Sequence, residues 1–267
     1  MAVNDAREDS LRAALRAMRR VVIAYSGGVD SAVVLAVAVR ELGRDAMALT
    51  GRSASMAPSE LAAAVRLAKD LGARHKIVET REFENPSYRS NPHNRCYYCK
   101  EELFTKLWEF ARAHGCMHVV DGFNADDGTA PLDRRPGHEA ALRLGVRSPL
   151  AECGLRKDDV RALARRLGLP VWSKPATPCL SSRVPYGQRI EIGDLRRIDL
   201  AESYLRSLGY EVVRVRHFGE SARIEVPLQQ VPQLTASRER IASALRSVGY
   251  ETIEIDARGY RQGSLNG

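Results

Sequence analysis

Short apolar runs alternate with longer amphipathic segments along the first 121 residues. The runs are typical of buried strands, and apolar residues spaced three or four apart are typical of helices. The pattern predicts helices over 10–20, 32–42, 59–71 and 100–114, and strands beginning at 21 and covering 46–50, 75–79 and 117–121. Regular strand-helix alternation is the signature of an α/β fold. We therefore predict a doubly wound parallel sheet.

The pattern changes beyond residue 182. It predicts helices over 194–208 and 232–248, a hairpin of strands at 211–216 and 222–226, and a strand at 252–255. The sequence LRSLGYE at 205–211 recurs as LRSVGYE at 245–251. A stacked repeat array needs at least three copies, so two copies indicate a small α/β domain. We expect one domain over 1–184 and a second, smaller α/β domain over 185–267.

A glycine-containing loop, Ser-Gly-Gly-Val-Asp-Ser at 26–31, joins the first strand to the next helix. Adjacent glycines admit a bulky anion close to the backbone, and the helix start offers free N–H groups with the positive end of its dipole. The loop lacks the Lys-Ser/Thr ending of a Walker motif, so we expect different chemistry. A plain glycine turn is the alternative. Ligands lie at the carboxyl ends of parallel strands, and the residues expected to contact ATP are Ala24, Ser26, Gly27, Gly28, Asp30, Ser31, Thr50 and Gly122.

Composition adds little to this interpretation. The formal charge of +8 is compatible with phosphate-bearing partners, but only six of the 41 basic residues are lysine, a bias that a GC-rich genome produces unaided. No apolar run is long enough to cross a bilayer, and the N-terminal segment is charged rather than built like a signal peptide. We expect a cytoplasmic protein with no membrane partner, whose five cysteines are thiols or metal ligands.

Three of the cysteines are candidate ligands of one metal site. Cys96 and Cys99 form a Cys-x-x-Cys pair, and Cys179 follows from a distant loop. Three thiolates suit an iron–sulfur cluster with one iron open to an added ligand, or a zinc ion with a fourth protein ligand. The candidates for that fourth ligand are Cys116, Cys153 and His93. A redox disulfide between Cys96 and Cys99, or plain buried thiols, are further alternatives that the spacing leaves open.

Four motifs together resemble a known family. They are SGGVDS at 26–31, NRCYYCK at 94–100, DGFNADD at 121–127 followed by RPG at 135–137, and KPATPCLSSR at 174–183. The first is similar to the PP-loop of the ATP pyrophosphatase superfamily, and the set resembles the LarE family over essentially the whole chain. The resemblance implies an ATP-dependent sulfur transferase. Such an enzyme adenylates a carboxylate of pyridinium-3,5-biscarboxylic acid mononucleotide, releases pyrophosphate and replaces oxygen by sulfur in nickel-pincer nucleotide cofactor biosynthesis.

The resemblance also assigns roles. In one variant of the family a single cysteine gives up its sulfur, whereas in the other three cysteines carry a [4Fe-4S] cluster. Because Cys96 and Cys99 are present, the chain resembles the second variant, with Cys179 as a catalytic cluster ligand. Asp30 is expected to position Mg2+ beside ATP. For Asp126 and Asp127 the sequence itself leaves two interpretations open, because adjacent acidic residues after a strand are candidates to bind the metal or ATP and are also ordinary helix N-caps.

A cationic pocket is needed for the phosphate of the nucleotide substrate. Arg214 and Arg216, two apart on a predicted strand, project to one face and can fork a phosphate. Arg183 is a further candidate for substrate binding and catalysis, and Glu202 and Glu225 are candidates to orient the guanidiniums or the substrate. Solvated surface arginines are the alternative.

Two other functions fit parts of the pattern. A PP-loop tRNA thiolase would also use ATP and three cysteines, but it needs an RNA-binding module, and the sequence shows neither a zinc-ribbon pair nor an aromatic-basic surface. A non-enzymatic nucleotide-sensing module has no use for three placed cysteines. We therefore expect a nucleotide substrate and sulfide or another sulfur donor as partners, no nucleic acid, and a homo-oligomer.

Overall fold

The computed structural model describes residues 2–128 and 135–261. Contacts between residues divide the chain into two units. The first comprises Met1–Ser53, Pro58–Tyr88 and Asn94–Thr177, and the second comprises Ala54–Ala57, Arg89–His93 and Pro178–Gly267. The longest segment of the second unit begins at Pro178, whereas the sequence pattern put the domain boundary between residues 184 and 185. Residues 1 and 262–267 of the predicted domains lie outside the described ranges.

Helices and strands alternate from α1 to β3, and the described residues up to 177 contain α1 to α8 and β1 to β4. The elements are α1 (Ala2–Met18), β1 (Val21–Ala24), α2 (Val29–Leu42), β2 (Ala46–Arg52), α3 (Pro58–Asp70), β3 (Arg74–Glu79), α4 (Pro86–Arg89), α5 (Arg95–Ala113), β4 (His118–Val120), α6 (Pro136–Arg143), α7 (Pro149–Glu152) and α8 (Lys157–Arg166). Short 3-10 helices cover Gly43–Asp45, Glu82–Glu84 and Pro170–Ser173.

The four strands form a parallel sheet in the order β3-β2-β1-β4. Apolar side chains cover both faces because alternate residues of a strand point in opposite directions. Val21 and Ile23 of β1 pack in one core with α1, α2, α3 and α8, and Val22 packs in another with α5. This arrangement confirms the predicted α/β fold and brings the ends of β1 and β4 side by side.

The second unit is a small α/β domain, as predicted. It contains α9 (Ile192–Ser207), β5 (Arg214–Phe218), β6 (Ser221–Glu225), α10 (Val231–Ala236), α11 (Arg238–Ser247) and β7 (Thr252–Ile255), with 3-10 helices at Leu180–Arg183 and Leu228–Gln230. The sheet order is β5-β6-β7, with an antiparallel β5-β6 hairpin and parallel β6-β7 pairing. The single helix predicted over 232–248 is wrong, because the chain breaks at Ser237 into α10 and α11.

The repeated LRS-x-GYE sequence is a helix stop. Gly209 and Gly249 both adopt positive φ, 94° and 101°, which costs glycine little. The N–H of the tyrosine after each glycine donates to the carbonyl of the leucine that opens the repeat, over 3.2 Å in the first copy and 3.1 Å in the second. Each copy thereby ends a helix and buries its tyrosine.

Two observations bear on the expectations for chemistry and location. Helix α5 begins at Arg95, not at residue 100, so the Cys-x-x-Cys pair lies on a helix. No helix within residues 2–128 and 135–261 is both long enough and apolar enough to cross a membrane.

Candidate active site

The glycine loop connects β1 to α2 in a conformation that depends on Gly27. Its φ of 75° is strained for other residues, and a Cβ there would lie 2.7 Å from the Cβ of Ala64 on α3. Gly28 precedes α2 and leaves the helix start without a side-chain cap. The hydroxyl oxygens of Ser26 and Ser31 lie 3.1 Å apart, and the Ser31 hydroxyl donates to the Gly28 carbonyl over 3.2 Å. The uncapped helix start at this loop is suited to an anion.

Asp30, in the first turn of α2, is fixed by two partners. Lys157 Nζ at the start of α8 lies 2.6 Å from Asp30 Oδ2. The side-chain amide of Asn124 donates to Asp30 Oδ1 over 3.3 Å. Asn124 is buried, so its amide needs such partners. The carboxylate predicted to position Mg2+ therefore lies in a network of oriented polar groups.

Asn124 links Asp30 to a second carboxylate. Its amide also donates to Asp127 Oδ2 over 2.8 Å, and Arg135 lies 2.9 Å from Asp127 Oδ1. Burial disfavours the charged carboxylate and raises the pKa of Asp127 above its ordinary value. The carboxylates of Asp30 and Asp127 therefore both accept hydrogen bonds from the Asn124 amide. Each also has a cationic partner, Lys157 for Asp30 and Arg135 for Asp127.

A cavity of about 410 Å³ opens beside this network. Its walls include five of the predicted ATP contacts, which are Ala24, Ser26, Asp30, Ser31 and Gly122. The other lining residues are Cys96, Lys100, Phe104, Asp121, Phe123, Asp127, Arg135, Pro136, Gly137 and His138. A cavity of this size at the carboxyl ends of β1 and β4 fits the ligand position of open parallel sheets.

Gly122 and Thr50 take different places around the loop. A Cβ on Gly122 would lie 2.7 Å from the Ser31 nitrogen, so glycine allows β4 to approach the start of α2. Thr50 does not line the cavity. It is buried, its hydroxyl donates to the Tyr25 carbonyl over 2.7 Å, and it lies 2.8 Å from His75 Nε2. The contact of Thr50 with ATP stays a prediction.

The Cys-x-x-Cys pair occupies the first turn of α5. Cys96 is exposed and lines the cavity, and Cys99, three residues further along the same helical face, is half-buried. None of the five cysteines, all of which the structure describes, forms a disulfide, and Cys116 is buried. Within residues 2–128 and 135–261 no three His, Cys, Asp or Glu side chains form a group that could hold a metal ion.

In the second unit, Arg183 holds the loop that carries Cys179. Its guanidinium donates to the carbonyls of Pro178 and Cys179 over 2.7 and 3.1 Å. It also forms a two-point contact with Glu202 over 2.8 and 2.9 Å, and both side chains are almost fully buried. Burial alone would raise the pKa of Glu202, but the charge and hydrogen bonds of Arg183, with smaller contributions from Arg206 and the Val215 N–H, together hold that pKa below the ordinary value. In the structure Arg183 orders the cysteine loop, and its direct contact with substrate stays a prediction.

The two arginines of β5 are also buried. Arg216 lies 2.8 Å from Glu225 Oε2 and donates to the Ser182 carbonyl over 3.0 Å. Arg214 stacks on the ring of Tyr260 at 5.2 Å, and burial lowers its pKa below the ordinary value. Glu202 and Glu225 pair with Arg183 and Arg216, and their role in orienting substrate-binding guanidiniums stays a prediction. The solvated-surface alternative is wrong because Arg183, Arg214 and Arg216 are each at most 6% exposed.

Sequence reasoning missed Lys157 and Asn124. Asn124 lies in the DGFNADD motif at 121–127, where the carboxylates of Asp126 and Asp127 are the more evident candidates for binding a metal or ATP. Lys157 begins the amphipathic helix α8, and a charged residue at a helix start is a common feature of solvated faces. Only the fold brings it to Asp30, 127 residues earlier in the chain.

Comparisons with known proteins agree with this geometry. The asparagine synthase family matches residues 2–118. An uncharacterised protein of Synechocystis is 45% identical over 97% of this chain and 96% of its own. The pyridinium-3,5-bisthiocarboxylic acid mononucleotide synthase of Lactiplantibacillus plantarum is 36% identical over 100% and 96%. A tRNA-specific 2-thiouridylase of Xanthobacter autotrophicus is 30% identical over 70% of this chain and 56% of its own.

The parallel sheet and its glycine loop define an ATP pyrophosphatase of the PP-loop class. The similarity to the Lactiplantibacillus mononucleotide synthase covers the whole of this chain and narrows the class to one family. The chain belongs to the LarE family, and it is an ATP-dependent, AMP- and pyrophosphate-forming sulfurtransferase of nickel-pincer cofactor biosynthesis.

Proposed function

We propose that the substrate is pyridinium-3,5-biscarboxylic acid mononucleotide, and that the enzyme converts its carboxylates to thiocarboxylates. The carrying observation is that the side chain of a cysteine, Cys96, lies in the wall of the cavity that Ser26, Ser31 and Gly122 line. A phosphate loop and a thiol in one cavity suit activation by ATP followed by sulfur transfer. The Lactiplantibacillus relative is a synthase of the bisthiocarboxylic acid mononucleotide, which supports this product.

Activation makes the carboxyl group electrophilic. A substrate carboxylate oxygen attacks the α-phosphorus of ATP, the bond from that phosphorus to the bridging oxygen breaks, and the electron pair leaves with pyrophosphate. A sulfur nucleophile then attacks the carbonyl carbon and AMP leaves with the C–O electron pair. The backbone amides between Ser26 and Ser31 bind the phosphates at the positive end of α2.

Mg2+ fits the oxygen donors beside the loop. Asp30 and Asp127 supply carboxylate oxygens, and Asn124 orients both. Such hard oxygen ligands are the ones that Mg2+ takes together with substrate phosphates. In this proposal Asp30 holds the metal, and Lys157 and Arg135 balance the two carboxylates in its absence.

A [4Fe-4S] cluster fits the thiol inventory. Cys96 and Cys99 share a helical face, none of the three cysteines forms a disulfide, and three thiolates are the soft donors that such clusters take. We assign these three residues as ligands. When bound, the cluster supplies an iron with an open position that can carry sulfur. The residues of this chain hold the thiols in place, Cys179 through the contacts of Arg183 with its loop.

The second unit is proposed to bind the phosphate of the nucleotide. Arg183, Arg214 and Arg216 bring three positive charges to one region, and Glu202 and Glu225 neutralise two of them. A guanidinium group can donate two parallel hydrogen bonds to a phosphate, which supports this assignment. The proposal also includes sulfide or another sulfur donor as a partner, a homo-oligomeric state and a cytoplasmic location. It gives nucleic acid no part in the reaction.

The test is a product assay under anaerobic conditions. The holoenzyme is incubated with Mg·ATP, sulfide and the biscarboxylate nucleotide, and nucleotides and thiolated product are separated by chromatography. We expect AMP and pyrophosphate only when the nucleotide is present, with thiolated product in step. AMP formation with tRNA in place of the nucleotide, or ADP as the product, would contradict the proposal.

A further inference from the structure

The charged side chains that line the cavity of the first unit differ in whether they have a partner of opposite charge. Two of its three carboxylates have cationic partners, since Asp30 pairs with Lys157 and Asp127 with Arg135. The third, Asp121, accepts hydrogen bonds from the Ser148 hydroxyl and the Phe123 N–H over 2.8 and 3.0 Å. Each carboxylate is therefore engaged by protein groups.

Lys100 has a different position from the other cations. Its Nζ lies 5.6 Å from the ring centre of Phe104, and no carboxylate in the described part of the chain forms an ion pair with it. The residue is half-buried in the cavity wall. A partly desolvated ammonium beside an aromatic ring is stabilised less than one paired with an anion, so an anionic ligand gains from its charge.

Gly137 makes room for the Lys100 side chain. A Cβ on Gly137 would lie 2.8 Å from Lys100 Cγ and 3.4 Å from the Cys96 carbonyl oxygen. The backbone of Gly137 is not in the left-handed region, so space rather than conformation favours glycine there. The close packing of α6 on α5 therefore fixes the path of the lysine stem along the cavity wall.

We infer that Lys100 binds the β- and γ-phosphates of ATP and neutralises the pyrophosphate as it leaves. The inference rests on the proposed function only in that ATP is cleaved between its α- and β-phosphates. Pyrophosphate leaves with more negative charge than AMP, and Lys100 shares a cavity with the loop that accepts phosphate. A fixed cation is most effective where negative charge develops during the reaction.

Direct binding of Mg·pyrophosphate and of AMP, without any carboxylate substrate, tests this role. Lys100→Met removes the charge and keeps the apolar stem, and we expect pyrophosphate affinity to fall about tenfold or more, the loss typical of a charged hydrogen bond. AMP affinity should stay unchanged, and Lys100→Arg should restore most of the loss. Lys106→Met is the matched control, since Lys106 lies on the same helix and pairs with Glu109.

Gly137→Ala gives an independent variant that retains the ammonium group but displaces its stem. It should weaken pyrophosphate in the same direction and add little to Lys100→Met in the double variant, because both changes act on one contact. If Lys100→Met does not fold, Gly137→Ala supplies the measurement. Equal pyrophosphate affinity in wild type and Lys100→Met, or equal losses for AMP and pyrophosphate, would overturn the inference. A failure to thiolate the nucleotide would contradict the proposed function and leave these binding results intact.

Discussion

Gly27 is the position of the phosphate loop at which a side chain meets both a conformational and a steric penalty. Alanine at φ 75° costs about 1 kcal/mol, and its Cβ would overlap Ala64, adding about 1–3 kcal/mol of overpacking. Gly27→Ala should therefore lower the free energy of unfolding by about 2 kcal/mol or more. Gly28→Ala is the control, because Gly28 has a φ of −78° and 3.4 Å of clearance to Ser26 Oγ. Equal losses in urea denaturation would contradict this account.

Asp30 tests the chemistry of the loop at the same scale. Asp30→Asn keeps a hydrogen-bonding side chain of similar size but removes the charge that holds Lys157 and, as proposed, Mg2+. We expect AMP formation to fall by about a hundredfold or more, the scale of losing one electrostatic group in an active site. Thermal stability should change little because the side chain is partly exposed. Asp158→Asn, in the exposed first turn of α8, is the control and should retain activity.

Helices and strands could be predicted from the sequence where apolar residues recur on one face. Their ends could be predicted less well. The helix that contains Phe104 and Leu107 was predicted, but its first turn carries Arg95 and the cysteines, whose side chains follow no apolar period. Similarly, apolar spacing continued across Ser237 although the helix breaks there. The predicted same-face placement of Arg214 and Arg216 did not reveal their burial, because burial depends on Glu225 and Tyr260 from other segments.

Strand β5 carries a prediction on substrate binding. Arg214→Ala should weaken the nucleotide substrate by about 1.5–3 kcal/mol, the range for a charged hydrogen bond, and leave ATP affinity unchanged. Arg216→Ala also removes the ion pair with the buried Glu225, which costs about 3–5 kcal/mol of stability. The double variant Arg216→Met with Glu225→Gln removes that penalty and separates binding from folding. Binding is measured by calorimetry, and equal losses for ATP and substrate would place the arginines in the ATP site instead.

Helix α9 meets the cysteine loop through the Glu202–Arg183 pair, which predicts an acid-sensitive contribution to stability. The lowered pKa of Glu202 means that this contribution is present above the unfolded value of about 4.5 and is lost as the pH falls through the folded value. Glu202→Gln should cost about 3–5 kcal/mol at pH 7 and reduce the slope below pH 4.5. Arg206→Met removes the more exposed partner of Glu202 and should cost less. Denaturation from pH 7 to 3 measures both; an unchanged slope in Glu202→Gln would contradict the assignment.

At the scale of the whole molecule, the functional groups come from segments far apart in the chain. Lys157 reaches Asp30 over 127 residues, and the proposed cluster ligands divide between the first unit, with Cys96 and Cys99, and the second, with Cys179. A motif shows which residue types are present, but contacts such as Lys157 with Asp30 depend on packing of α8 against α2. This is why the loop could be predicted and its partners could not.

The three cysteines carry the last prediction. If Cys96, Cys99 and Cys179 jointly hold a [4Fe-4S] cluster, replacing any one by serine should reduce bound iron and sulfide in anaerobically prepared protein, whereas Cys153→Ser should not. With sulfide supplied, the wild type should form more thiolated product than there is enzyme, because a cluster can be reloaded and a consumed thiol cannot. Loss of about one sulfur and two hydrogens at Cys179 after turnover, measured by mass spectrometry, is the signature of dehydroalanine and would show that Cys179 itself gives up its sulfur.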